Sequence, residues 1–483
     1  MRPLLCASLE AATTAELCAS RDCVDPAVDL IELRLDSVKD PNVGQVLEGR
    51  KRPVIVTCRP TWEGGRFNGS EEERYRILAE AIEAGADYVD VEWRAGFNDL
   101  VKSRKGRGIV LSMHDFEGVP SDLESQYRMM RAMEPEVVKV AVHVRKLSDM
   151  CSLLQLRRSG SEREQLVLVG MGPVGQISRV LASHFGSRWS YAGENAAPGQ
   201  LSISRMLEEF RFKSISVSSD VYGVVGSPIS HSVSPAMHNA AFENEGIDAV
   251  YVPIEAVDIE DFIAFTQAIK LRGASVTAPF KRDVIEHLDE IDSLGKFVGA
   301  VNTIRMEDNR WMGMNSDVPG FLMPLSGRIN LKGRRVSVLG AGGAARAVAV
   351  ALDSAGARVT ICARNIERAE SVASLVGGKT AAFPPVKETW DILVNTTPIG
   401  TYPLTDLTPL EKDALKGGQV VYDLVYNPPK TRLLAEAERA GCQVVGGLDM
   451  LVSQAKLQFE WWTGRSVSYS VLHDAALASL GME

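Results

Sequence analysis

Lys139 stands inside the apolar run VVKVAV (137–142) of this 483-residue chain, where an ammonium is costly to bury unless it is paired or neutral. A desolvated lysine is a nucleophile for carbonyl carbon, which is Schiff-base chemistry. The competing reading is a lysine paired with Glu32 or Glu136 for structure alone. His114, at the end of IVLSMHDF (109–116), is a satisfied core histidine taken by itself and a proton carrier if it shares a site with that lysine. Arg59 and Glu63, four apart in TCRPTWEGG (57–65), form either a loop ion pair or part of the same site. A second lysine, Lys281, follows a strand and a Pro-containing turn in ASVTAPFKRD (274–283), with Asp317 of GMNSDVPGF as its carboxylate partner. Such a dyad fixes the ammonium and passes a proton to a developing alkoxide, although two isolated surface charges would look the same.

A third constellation is glycine. RRVSVLGAGGAARAVAVAL (334–352) reads strand, loop, helix, with Gly340, Gly342 and Ala345 in G-x-G-x-x-A spacing and Gly343 beside them. Small residues there let backbone N–H groups approach a pyrophosphate at a helix N-terminus. An NAD enzyme would place an acidic residue ~20 residues further on. Here Ala363 and Arg364 occupy that place, and Arg368 follows one turn later. Arginine suits a 2′-phosphate, so the expected cofactor is NADP; the alternative is two solvated residues at a helix start.

Two kinds of element must position these groups. Up to about residue 210, apolar runs recur every ~25 residues between helical stretches, the rhythm of a parallel βα sheet. Strands are expected at 2–9, 30–36, 54–59, 88–93, 109–116, 137–144, 165–171 and 189–193, with a helix behind Ser70 whose apolar face is Ile77, Leu78, Ala81 and Ile82. Eight units fit an α/β fold, a (β/α)₈ barrel, whose sites lie at the C-terminal strand ends. Glu32, Arg34, Arg59, Glu63, His114, Lys139 and Arg179 all fall on or after such strands. The polar segment 211–220 then reads as a linker into a second α/β pattern. The expected division is a barrel over 1–212, a linker over 213–220, a substrate domain over 221–325 completed by helices at 448–483, and a Rossmann domain over 326–447.

Composition excludes several classes. Charged residues at 24 % and hydrophobic ones at 45 % are ordinary globular usage, which removes disorder and fibrous repeats. A net charge of -9 gives no basic footprint for nucleic acid, so anionic ligands must be held by local arginines. Seven cysteines form no C-x-x-C pair or metal-ligand spacing, which suits reduced thiols and no metal. With no apolar run of membrane length and no leader-like start, the expectation is a soluble cytoplasmic protein, its oligomeric state left open.

ELR (32–34), TCRPTWEGG, SMHDF (112–116), VVKVAV, GxxGxxSR (172–179) and APGQ (197–200) together resemble type I 3-dehydroquinate dehydratase over the whole expected barrel. The resemblance implies that Lys139 forms the imine, His114 is the general acid/base, Glu63 orients it, and Arg179 clamps the substrate carboxylate. Glu32, Arg34, Arg59 and Gln200 match substrate-binding positions. Ala196 departs from the family's usual Ser.

From about 221 onward, SPISHSVSPAMHN, SVTAPFK, GAVNTI, GMNSDVPGF, GAGGAARA, NTTPIGT, DLVYNPPKTRLL and GLDMLVSQAKLQFEWWTG resemble shikimate dehydrogenase. By that resemblance Ser232, Ser234, Thr277, Asn302, Asp317 and Gln454 contact substrate, Lys281 and Asp317 are the catalytic pair, and Tyr426 and Gly447 lie near nicotinamide and substrate. Ser275 replaces the family's Asn, Ala363 a cofactor-binding Asn, and Thr401 a frequent Met. In this order the halves resemble the bifunctional family that converts 3-dehydroquinate to 3-dehydroshikimate and then, with NADPH, to shikimate, in aromatic biosynthesis. Rival readings are a quinate-preferring or NAD-linked reductase, a ligand-binding regulator without turnover, and a class I aldolase. Retention of Lys139, His114, Lys281 and Asp317 opposes the regulator.

Overall fold

The computed structural model describes residues 2–159, 165–193 and 199–481. The APGQ residues Ala197 and Pro198, and the departure Ala196, lie outside the described residues. By packing, the chain divides into two units: Met1–Val221 with Asp248–Leu271, and Tyr222–Ile247 with Arg272–Glu483.

In the first unit every expected strand forms: β1 (Leu4–Glu10), β2 (Leu30–Arg34), β3 (Val54–Thr57), β4 (Tyr88–Glu92), β5 (Ile109–Asp115), β6 (Val137–His143), β7 (Gln165–Met171) and β8 (Trp189–Ala192). Their order, β7-β6-β5-β4-β3-β2-β1-β8, is that of a barrel, nearly closed where Arg188 N donates to Leu166 O at 2.6 Å. Burial is complete along β2 and β3, which accounts for the unbroken apolar run VIVT of β3, while in β2 the run is broken by the buried Glu32 and Arg34.

The helix Glu71–Glu83 starts at a Ser70–Glu73 capping box, as its sequence requires. Leu78 and Ala81 are buried, Ile77 and Ile82 only partly, and Arg74 is also fully buried, against Glu92. The segment expected to be a linker is packed: Phe212, Ile215 and Ser219 are buried, and Lys213 pairs with Asp29. Its short polar residues hide an apolar one at intervals, which is why composition alone reads it as loose. In the same unit the Asp261 carboxylate accepts from Leu147 N and Ser148 N, both at 2.8 Å, and caps the helix Leu147–Ser159.

Beyond the barrel come β9 (Asp220–Gly226), β10 (Ala249–Glu255), β11 (Gly273–Val276), β12 (Glu290–Ile291), β13 (Thr303–Glu307) and β14 (Arg310–Met314). In the second unit β11 pairs parallel with β9 and antiparallel with β13, which continues through β14 to β12. A parallel sheet follows: β15 (Arg335–Leu339), β16 (Arg358–Cys362), β17 (Lys379–Ala381), β18 (Ile392–Asn395), β19 (Val420–Asp423) and β20 (Gln443–Val445). Its order, β17-β16-β15-β18-β19-β20, is the doubly wound arrangement with the topological switch between β15 and β18. The helix Gly447–Thr463 packs back on the helices Asp317–Leu322 and Ser234–Asn244.

The turn after β7 leaves no room for a side chain, since a Cβ at Gly175 would stand 2.4 Å from the carbonyl carbon of Gly170. Gly175→Ala should therefore destabilise the barrel by ~1–3 kcal/mol, the usual range for overpacking. Denaturant unfolding would register it as a lower midpoint; an unshifted midpoint would show that the turn yields freely.

Candidate active sites

Inside the barrel a cavity of about 90 Å³ is lined by Glu32, Arg34, Arg59, Glu63, His114, Lys139, Arg179 and Gln200, so all eight sequence-derived residues of this half come together. Strand alternation explains it: Glu32 with Arg34 on β2, and Ser112 with His114 on β5, are two apart and face inward.

Lys139 Nζ lies 3.1 Å from Asp90 Oδ2 and 3.7 Å from Glu32 Oε1, with the Tyr191 ring centre at 4.5 Å. Of the two partners suggested by sequence, Glu32 is present and Glu136 is not: Glu136 instead accepts from Gly108 N at 2.7 Å. Arg59 is a buried hub rather than half of a rim ion pair. It reaches Asp90 at 2.9 Å, Glu92 at 3.1 Å and Glu63 only at 3.7 Å, and its Nη1 donates to His114 Nδ1 at 2.9 Å. With Nδ1 accepting, the proton of a neutral His114 sits on Nε2.

Electrostatics follow from this packing. Burial, reinforced by the Arg59 and Lys139 cations, holds His114 well below its ordinary value. Burial pushes Glu63 up to about 7 despite Arg59. For Asp90 burial acts upward too, but the Arg59 and Lys139 cations overcome it and the carboxyl falls below its usual range. Arg34 is held by both oxygens of Asp36, each at 2.8 Å. Arg179 donates to Gly170 O at 2.6 Å, and burial lowers its guanidinium to about 10, still charged at neutral pH. Gln200 has a buried Oε1 with no protein partner among the described residues.

Asp90, Glu92 and Tyr191 were not singled out from sequence. A signal existed: in YVDVEW two carboxylates sit two apart in a strand expected to be buried, so both face the interior.

In the second unit a cavity of about 220 Å³ is lined by Ser232, Ser234, Thr277, Lys281, Asn302, Asp317, Tyr426 and Gln454. Lys281 Nζ donates to Asp317 Oδ2 at 2.6 Å. The other oxygen, Oδ1, accepts from Asn302 Nδ2 and Gln454 Nε2, both at 2.8 Å. The carboxylate is thereby fixed on three sides. Ser275, which stands where the family has Asn, donates to Gln458 Oε1 at 2.8 Å, so an amide from the helix Gly447–Thr463 enters the wall. Gln458 was not anticipated, because only the tertiary fold brings it to Ser275.

The glycine turn fits a dinucleotide. Gly340 has φ +108, and a Cβ there would meet Thr396 Oγ1 at 2.7 Å; Gly342 precedes the helix Gly343–Ser354 with nothing within 4 Å of its Cβ position. That is open space at a helix N-terminus, suited to phosphate. Ala345 is fully buried against the sheet. Arg364 and Arg368 are exposed after β16, where Asn365 caps the helix Ile366–Ala373. Gly447 starts its helix where a Cβ would come within 2.3 Å of Leu424 O.

Comparison with known proteins agrees with this geometry. The family model described as type I 3-dehydroquinase matches residues 5–216. Models for the shikimate dehydrogenase substrate binding domain, shikimate / quinate 5-dehydrogenase and the shikimate 5'-dehydrogenase C-terminal domain match 224–304, 325–399 and 447–477. The chain is 34 % identical over 473 residues to the bifunctional 3-dehydroquinate dehydratase/shikimate dehydrogenase, chloroplastic, of Arabidopsis thaliana, covering 90 % of this chain and 78 % of that protein. It is 42 % identical over 255 residues to the NADP(+) shikimate dehydrogenase of Shouchella clausii, covering 50 % of this chain and 93 % of that one. Among solved structures, the shikimate 5-dehydrogenase of Thermus thermophilus in complex with NADP(H) and shikimate aligns with TM-score 0.51 at 36 % identity, over 54 % of this chain and 99 % of that one.

The charge balance around His114 has a spectroscopic consequence. In a nitrogen NMR titration its imidazole should remain neutral, with the proton on Nε2, down through the ~6.5 at which a free histidine side chain protonates. Protonation of His114 at or above that value would mean that Asp90 and Glu63 outweigh burial and the two cations.

Proposed function

Because the chain belongs to the bifunctional 3-dehydroquinate dehydratase/shikimate dehydrogenase family, we propose that its two reactions divide between the barrel cavity and the cavity beside the glycine turn. The protein is a shikimate-pathway enzyme that dehydrates 3-dehydroquinate to 3-dehydroshikimate and reduces that product to shikimate with NADPH. The residue roles below are our assignment, and the observation that carries it is the placement of Lys139 and a neutral His114 in one buried cavity.

In the barrel, Lys139 as the free amine attacks the ring ketone, and water leaves to form an imine, with Asp90 and Glu32 beside the nitrogen. The protonated imine draws electrons from the neighbouring C–H bond, and His114 takes that proton. His114 then returns it to the departing hydroxyl, and water releases the enone and regenerates the amine, for a net loss of one water. Glu63, bonded to the His114 backbone N–H at 3.1 Å, fixes the histidine. Arg179 holds the carboxylate, and Arg34, Arg59 and Gln200 complete the wall.

In the second cavity Lys281 protonates the carbonyl oxygen as it gains negative charge, and Asp317 keeps the ammonium aimed. Ser232, Ser234, Thr277, Asn302, Tyr426 and Gln454 hold the ring. When bound, NADPH supplies the hydride; Gly340, Gly342 and Gly343 would admit its pyrophosphate and Arg364 with Arg368 its 2′-phosphate. Domain limits of 1–212, 221–325 with 448–483, and 326–447 belong to the same proposal. So does a cytoplasmic location, for which seven free cysteines are the support. No helix among the described residues is long and apolar enough to cross a membrane.

The two activities should separate by mutation. In an assay with 3-dehydroquinate and NADPH, Lys139→Ala should abolish enone formation yet leave reduction of added 3-dehydroshikimate intact, and Lys281→Ala should do the reverse with a ~10²–10⁴-fold loss in reduction. Borohydride labelling of Lys139→Ala at another lysine would remove Lys139 from the mechanism.

Cofactor choice is tested separately. Arg364→Ala should raise the KM for NADPH by roughly 10-fold or more, the worth of one charge-assisted bond, with little change for NADH. Equal effects on both cofactors would assign Arg364 to the fold or to the adenine instead.

A further inference from the structure

Asp423 closes β19 fully buried, and the chemistry above gives it no part. Its carboxylate nevertheless joins three segments. Asn395 Nδ2, at the end of β18, donates to it at 2.9 Å, Val425 N at 3.1 Å, and Thr431 Oγ1 at 2.7 Å. Asn395 Oδ1 in turn accepts from Thr397 N at 3.0 Å and Thr397 Oγ1 at 2.7 Å. Further along, Tyr402 N and Thr401 Oγ1 both donate to Asn427 O, at 2.9 and 3.2 Å. The loops leaving β18 and β19 are thus one hydrogen-bonded body with Asp423 at its root.

That body touches both ligands' places. Thr396 Oγ1 donates to Leu339 O at 2.6 Å and lies against Gly340 of the glycine turn. Tyr426, three residues after Asp423, enters the cavity that holds Lys281 and Asp317. Gly447 backs the same turn from behind, since its missing side chain is what lets the helix Gly447–Thr463 begin against Leu424.

A buried carboxylate facing uncharged donors is an expensive way to satisfy three hydrogen bonds if packing alone is needed. What the charge adds is strength, because a bond to an ionised acceptor is about twice as strong as a neutral one. Burial raises Asp423 to about 6 against the bonds from Thr431, Val425 and Asn395. The groups facing it, from the end of β18, the turn after β19 and the cap of the helix Arg432–Arg439, are those three uncharged donors.

We propose that Asp423 is a positioning residue of the reductase, which through Asn395 and Thr431 sets the loop beside the glycine turn and the loop that carries Tyr426. The proposal rests on the assignment of this cavity to 3-dehydroshikimate. Loss of the negative charge should loosen both loops, so kcat/KM for reduction should fall as pH drops through about 6.

The test is Asp423→Asn, which keeps the shape and removes the charge. Reduction should drop ~10–100-fold in kcat/KM, as for one or two charge-assisted bonds, and the decline near pH 6 should disappear. Combined with Tyr426→Phe, the loss should be less than multiplicative, because one residue acts partly through the other. Thr431→Val, which removes a single donor, gives a milder loss of ~3–10-fold and serves if Asp423→Asn fails to fold. Dehydration in the same chain should stay unchanged. Unaltered reduction, a retained pH 6 decline, or strictly multiplicative losses would overturn the proposal. Lys281→Ala separates the two levels: if it too leaves reduction intact, the cavity is misassigned, whereas a dead Lys281→Ala beside a normal Asp423→Asn defeats only this inference.

Discussion

The barrel depends on keeping one ammonium in its interior. Lys139 is buried because β6 is buried, and an ammonium there must be balanced by charge rather than by water. Asp90 and Glu32 balance it, but Asp90 is itself shared with Arg59, and Arg59 with Glu92, which Arg74 reaches from the helix outside. Each partner commits the next, so the arrangement extends from the cavity to the surface of the barrel. Removing one member of such a set leaves an uncompensated buried charge, a loss of ~3–5 kcal/mol in comparable cases. Burial, reinforced by the Arg59 and Lys139 cations of this network, also depresses His114 and keeps it neutral against the pull of Asp90.

The second half solves its positioning problem differently. Around the Lys281–Asp317 pair the supporting groups are neutral amides and hydroxyls: Asn302, Gln454, Ser316 and, through Ser275, Gln458. Neutral donors orient the Asp317 carboxylate without altering the charge of the site, so its ion pair with Lys281 stands alone among uncharged supports. In the barrel, by contrast, Lys139 is met by charged groups, with Asp90 at 3.1 Å and Glu32 at 3.7 Å from its nitrogen.

Much of this was legible in the sequence because it is periodic. Eight buried parallel strands give eight apolar runs, and inward-facing charges at two-residue spacing, such as Glu32 with Arg34, mark a site rather than a surface. The glycine turn was legible because its backbone admits few alternatives at Gly340. What escaped was what depends on a partner far away in sequence. Gln458 looks like an ordinary helical residue until the fold brings it to Ser275, 183 positions away. Arg59 paired with Glu63 by spacing but with Asp90 and Glu92 in space, since strand neighbours outweigh a four-residue separation. The segment 211–220 looked loose because its few buried apolar residues are spread among serines.

The chain's own charge makes the local cations decisive. Both substrates are carboxylates and the cofactor carries phosphates, yet the protein bears a formal charge of -9. At physiological salt, fields fade over ~8 Å, so the overall repulsion reaches a bound ligand only weakly and the nearest charges determine its energy. Burial strengthens those nearest charges, because fewer waters compete for them. Arg179 shows the cost: burial strips its hydration and lowers its guanidinium to about 10, still charged at neutral pH. Arg364 lies at the other extreme, exposed beside the helix Ile366–Ala373, where water competes fully for its charge. The arginines thus stand at opposite depths: Arg179 is buried, where its nearest neighbours set its energy, and Arg364 and Arg368 are exposed, where solvent screens both.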